Sequence, residues 1–194
     1  MKTNILNIFT SVLILLSSST FAVAQENWST GLINTKNAQF NCKIDKDDKS
    51  LSISKVVNDD RVSLPFLMNE GETVRVYINS EKDLTAIILN AFGKERLINL
   101  FKQGESIGIL FTLDEVGHPI QLTFTLKANS SIKPEEIFYI DDQIRKKVSF
   151  NVIRDKPCKS PHTNMFYHRI SLEEVLSGKI KRLKKIEEEG SKFK

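Results

Sequence analysis

Apolar and polar residues alternate most cleanly between positions 107 and 127. Ile107, Ile109, Phe111 and Leu113 share one face of an extended run, with Gly108 and Thr112 on the other. Asp114-Glu115-Val116-Gly117-His118 follows, and Ile120, Leu122, Phe124 and Leu126 then alternate against Gln121, Thr123, Thr125 and Lys127. Two period-two runs around a glycine-containing turn predict an antiparallel hairpin with one buried face. A slip by one residue would expose the whole apolar set, so the register is specified. A second hairpin is predicted upstream by Phe40, Cys42 and Ile44, the polar turn 45–49, and Leu51 and Ile53.

Between these hairpins the period changes. Residues 58–72 carry Asn58-Asp59-Asp60, Pro65 and Gly71 and read as loop, while Val74, Val76 and Ile78 mark a short strand. Ser80 offers an N-cap with Asp83 three residues on. Leu84, Ile87, Ile88 and Ala91, then Leu97, Leu100 and Phe101 beyond Gly93, predict one kinked helix or two short ones. Pro134 with Glu135 and Glu136 suits a helix start, and Ile137, Ile140, Ile144 and Val148 form its buried stripe. Phe150 and Val152 continue as a last strand, and 155–161 is a loop. Ser171-Leu172-Glu173-Glu174 is a capping box that opens a tail helix with Val175, Leu176, Ile180 and Leu183 on one stripe.

The N-terminus changes the picture from fold to compartment. Lys2 is followed by a mostly apolar stretch, 5–16, shorter than the ~20 residues that span a bilayer. Ser17-Ser18-Ser19-Thr20 then leads to Ala22-Val23-Ala24, an A-x-A site, so a secretory signal cut after Ala24 is expected in place of an uncleaved anchor. The expected organisation is a signal peptide over 1–24, a flexible lead-in over 25–38, an α+β domain over 39–160, and a C-terminal loop and amphipathic helix over 161–194. The location is periplasmic or secreted. The formal net charge of +4 compels neither nucleic acid nor membrane as a partner, and no nucleic-acid partner is expected. Cys42 and Cys158 fit one disulfide in an exported chain; the alternative is a buried Cys42 thiol inside a strand with Cys158 exposed.

From position 73 to 153 the order is strand, helix, strand, strand, helix, strand. Together with the stretch from Gly108 to Ile120, an apolar strand, acidic pair, glycine turn and second strand, this resembles the C-terminal domain of TonB-type proteins. The resemblance implies a small antiparallel sheet packed on two helices in βαββαβ order, flanked here by the N-terminal hairpin and the C-terminal helix. It also implies a habit of binding partners along a strand edge. The chain departs from that family in lacking a proline-rich spacer and a Trp-x-Pro signature, Trp28 being its one tryptophan, so an energy-coupling role is not carried over. The Asn- and Lys-rich composition also resembles exported proteins of Bacteroides-like bacteria.

Asp45, Asp47 and Asp48 suggest a calcium loop, but Ser50 and Val56 stand where the turn glycine and the bidentate glutamate are needed. Cys158, His162 and His168 offer three zinc ligands in a spacing that matches no closed four-ligand pattern. His118 reads as an exposed turn residue. Glu135 and Glu136, like Asp141 and Asp142, are adjacent on a helix and read as helix-start charge and a solvated face. Asn27-Trp28-Ser29 and Asn129-Ser130-Ser131 are sequons that matter only in a eukaryotic secretory route. No nucleophile elbow, P-loop, dinucleotide fingerprint or H-E-x-x-H is present. No catalytic, cofactor-binding or metal residue is therefore assigned, and no cofactor is expected. Five of the seven residues over 179–185 are basic, which gives 171–194 a route to an anionic membrane surface.

The function expected is a non-enzymatic binding or adaptor module of the bacterial cell envelope, partnered by an envelope protein. The alternatives are an enzyme whose site is not visible in the sequence, and attachment to the envelope surface through the basic tail.

Overall fold

The computed structural model describes residues 28–178, apart from 37, 67–71, 80, 157 and 159–160. The architecture is α+β, with a six-stranded antiparallel sheet and a separate two-stranded ribbon. The predicted hairpins form as β2 (Gln39–Asp45) with β3 (Ser50–Lys55), and β5 (Ile107–Leu113) with β6 (Pro119–Lys127). They join edge to edge, β3 pairing with β6 so that Leu51 faces Leu126 and Ile53 faces Phe124. These apolar cross-strand pairs weld two locally specified hairpins into one sheet.

The period-3.6 segments form α1 (Glu81–Phe92), α2 (Lys94–Lys102) and α3 (Pro134–Lys147). Gly93, at φ +71°, separates the first two. Ser80 lies outside the described residues. The stripe Leu84, Ile87, Ile88, Leu97 and Leu100 is buried in one core with Ile137, Ile140, Ile144 and the inward row of the sheet. Phe40 stacks on Phe138 with ring centroids 4.0 Å apart, and Arg96 grips Glu136 through Nε and Nη2 at 2.7 and 3.1 Å. Glu136 also accepts the N–H of Lys133 at 2.7 Å, the helix-start role expected of it.

Three expectations change. The strands β4 (Val74–Ile78) and β7 (Phe150–Arg154) do not flank the central hairpin in one small sheet; they pair with each other as the ribbon, because β3 and β8 take the two places beside that hairpin. The lead-in 25–38 contributes β1 (Gly31–Asn34), paired to β2, and Trp28 is buried with its Nε1 donating to the Ile132 carbonyl at 2.7 Å. The segment after 161 is not loop alone: β8 (Asn164–Ile170) pairs with β5 along its whole length. Its inward row mixes Phe166 and Ile170 with His168, and its outward row holds Met165 and Tyr167, so the alternation carries little hydrophobic contrast.

With β8 in place, β5 is buried on both faces, and the expected one-sided hairpin holds only for β6. Tyr167 lies across Gly108, in the space a Cβ would occupy. The tail helix α4 (Leu172–Ser177) starts at Ser171, whose hydroxyl accepts the N–H of Glu174 at 3.3 Å, and stops at Gly178 in the left-handed conformation. The rest of the predicted tail helix, including its basic run, lies outside the described residues, as does the signal sequence. No helix among the described residues is long and apolar enough to cross a membrane.

Cys42 is buried in β2, facing Ile53, and is not joined to Cys158. Burial pushes its thiol up to about 11. A thiol titration at pH 8 without reductant is expected to find both cysteines in the denatured chain and Cys42 protected in the native one; a disulfide would leave neither.

Candidate functional site

The hairpin turn 114–118 is the point where the chemistry-bearing residues converge. Asp114 holds it: Oδ1 accepts the backbone N–H groups of Val116 and His118 at 3.1 and 2.8 Å. Its Oδ2 accepts from Arg61 Nη1 at 3.1 Å and lies 3.4 Å from His118 Nδ1. Its carbonyl accepts from Asn164 Nδ2 at 3.1 Å. Arg61 is committed twice over, since Asp59 takes its Nε and Nη2 at 3.0 and 2.7 Å. That hydrogen bonding holds the Asp59 carboxyl below its usual range.

Behind the turn lies a buried ion pair. Arg154 Nη1 donates to Glu72 Oε1 at 2.7 Å, with 11% and 0% of the two side chains exposed. Nε and Nη2 of the same guanidinium donate to Asn164 Oδ1 at 3.3 and 3.0 Å. Arg154 closes β7, Glu72 precedes β4 and Asn164 opens β8, so one guanidinium ties the ribbon to the sheet edge. Thr163 completes the junction, donating its N–H to the Pro65 carbonyl at 3.1 Å and its hydroxyl to the Leu64 carbonyl at 3.2 Å.

Two clefts open on either side of the Arg61–Asp114 bridge. One, of about 440 Å³, runs between residues 55–61, the start of β6 and the end of α3. The other, of about 360 Å³, is more apolar and is lined by Leu64, Val116, Pro161 and His162. His162 is buried with Nδ1 3.8 Å from Glu115 Oε1.

His118 is an exposed turn residue at the mouth of the first cleft, with 74% of its side chain open. Asp45 Oδ1 accepts the N–H groups of Asp47 and Asp48 at 2.9 and 3.2 Å, which is turn chemistry. His168 points into the core beside Phe166, their rings 21° from parallel. The strand from Asn164 to His168 alone spans roughly 13 Å, so His162 and His168 cannot share an ion. No group of three metal-ligating side chains exists among the described residues.

Asp142 is solvated and paired with Lys146 at 2.7 Å, whereas Asp141 is not on a solvated face as expected. It is 1% exposed and bound by Arg145 Nε at 3.0 Å, one helical turn on. Desolvation pushes its carboxyl upward, partly offset by that bond. Arg145 Nη1 reaches the Ile120 carbonyl at 3.0 Å, which explains the burial: the pair pins α3 to β6. Asp141 Oδ1 and Arg145 Nη2, the remaining prongs of that fork, have no hydrogen-bond partner among the described residues. Arg61, Arg145, Arg154 and Glu72 escaped sequence reasoning because their partners lie far along the chain or on the face taken for solvent.

No protein-family model matches the sequence, and neither does any curated protein. Among solved structures the chain is similar to the crystal structure of a DUF5043 family protein from Bacteroides uniformis ATCC 8492, with a TM-score of 0.58 at 13% identity, over 75% of this chain and 92% of that one. The likeness is one of fold. It shows that the α+β architecture is shared with a Bacteroides protein.

Two substitutions test the turn. Arg154→Leu is expected to destabilise the protein by about 3–5 kcal/mol, since it strands Glu72 as a buried charge. Gly117→Ala is expected to cost more than about 1 kcal/mol, because φ is +90° and a Cβ would meet the Phe150 carbonyl. Urea unfolding of each variant against the native chain measures both.

Proposed function

We propose that the chain is an exported, non-enzymatic binding module of the bacterial cell envelope, and that β8 is the edge on which an extended segment of an envelope protein docks. The observation that carries this is β8 itself. It is a seven-residue edge strand without proline or register shift, and among the described residues no strand covers its outer side beyond the Phe66–Thr163 bridge at its start. Natural sheets blunt such edges with prolines, lysines or bulges. At the opposite edge β1 has only four residues. Met165 and Tyr167 stand exposed along β8, so backbone pairing can supply affinity and these side chains selectivity. The TonB-like hairpin supports the same habit of strand-edge binding, and the N-terminal signal supports the compartment.

A second reading, a hydrolase or transferase, is favoured by the Asp114–His118 contact at the cleft mouth, where a carboxylate orients an exposed imidazole. His118→Ala would abolish turnover under that reading and leave partner capture intact under the first.

Photo-crosslinking residues placed at Met165 or Tyr167, and separately at Leu32 on β1, test the docking edge in envelope preparations. A crosslinked envelope protein from the β8 positions and none from β1 is the expected outcome. Equal labelling from both edges, or none from either, would exclude β8.

A further inference from the structure

The cleft of about 440 Å³ beside the hairpin turn has an uneven supply of hydrogen-bonding groups. Both carboxylates in its wall, Asp59 and Asp114, are saturated by Arg61 and by backbone N–H groups. Arg145, also in the wall, is held by Asp141 and the Ile120 carbonyl, and its unpartnered Nη2 is sealed from solvent. The groups left over are donors. Lys55, Asn58 and His118 line the same space, and Lys55 Nζ, the Asn58 amide and His118 Nε2, a donor in the imidazolium form, make no hydrogen bond or close ion pair among the described residues. Lys55 is near enough for its charge to favour the ionised forms of Asp141 and Asp142, yet bonds to neither.

We infer that this cleft is a binding site for a small ligand carrying an oxyanion, the shared chemistry of a carboxylate, a phosphate or a sulfate group. The three donors come from three separate places, the end of β3, the loop after it and the hairpin turn. A single oxyanion has enough lone pairs to engage all three, and such charge-assisted bonds are the strong ones. The oxygens of the acids in the wall are already engaged: Asp59 and Asp114 share the Arg61 guanidinium, and the second Asp114 oxygen is taken by the Val116 and His118 N–H groups. The ammonium of Lys55 supplies a charge that no side chain among the described residues balances within ion-pair distance. The site is independent of the strand-edge reading: an anion can bind here whether or not β8 takes a partner.

The test is titration of the purified protein with sodium phosphate, sulfate and acetate at constant ionic strength, against chloride, followed by backbone amide shifts at 56–61 and 114–118. A saturable shift with at least one of the three is expected. Phosphate or sulfate as the winner indicates a phosphorylated or sulfated ligand, and acetate a carboxylate. Lys55→Gln and His118→Ala should each weaken it by about tenfold or more. Lys102→Gln, which removes an equal charge from an exposed position on α2, should leave it unchanged. Both test positions are accessible on the surface, and unchanged spectra elsewhere confirm that the variants fold. No saturable shift with any of the three anions, or equal affinity in Lys55→Gln, overturns the inference.

Discussion

The guanidinium of Arg154 is the constraint on which the functional end of the molecule depends. It has little solvent to fall back on, and its charge is met by the buried Glu72 while Nε and Nη2 bond Asn164. A pair this buried adds little net stability compared with an apolar filling, but losing either member strands a charge. Its effect is therefore on specificity of arrangement. With Arg154 in place, the end of β7, the approach to β4 and the start of β8 can meet in only one way. Asn164 then passes the constraint to the carbonyl of Asp114.

From Asp114 outward the arrangement is electrostatic. One carboxylate organises the turn through two backbone bonds and at the same time anchors Arg61, which carries Asp59 and the loop 55–61 with it. The two clefts exist because this bridge stands between them. In the larger cleft the acids Asp59 and Asp114 are bonded internally while, among the described residues, Lys55 Nζ and the Asn58 amide are not, and that imbalance underlies the inference drawn for it.

The sheet edge obeys a different logic. β5 needs cover on both faces and on both sides. β8 supplies its second neighbour, and Tyr167 supplies the cover over Gly108 that glycine cannot provide for itself. The same strand that completes the core is thus left as the outermost one, its own far side facing away from the sheet. Among the described residues the cleft beside the hairpin turn and the outermost strand of the sheet are thus two surfaces left by the way the interior is satisfied.

By itself the sequence determined every element whose signal is local. The hairpins over 39–55 and 107–127, the broken helix at Gly93, the helix opening at Pro134 and the Ser171 cap are all written in period, turn chemistry and capping residues within a dozen positions. The tertiary structure alone decided which strands became neighbours. β4 and β7 look, in chain order, like flanks of the central hairpin, yet the apolar row of β3 offers Leu51 and Ile53 to Leu126 and Phe124 and takes that place. β8 escaped because its inward row includes His168, tolerable only at the rim of a core that other segments build. Asp141 escaped because its burial is set by Arg145 reaching the Ile120 carbonyl on another element. Side-chain period reports which face is apolar; it carries no record of the distant charge that makes a polar residue bearable inside.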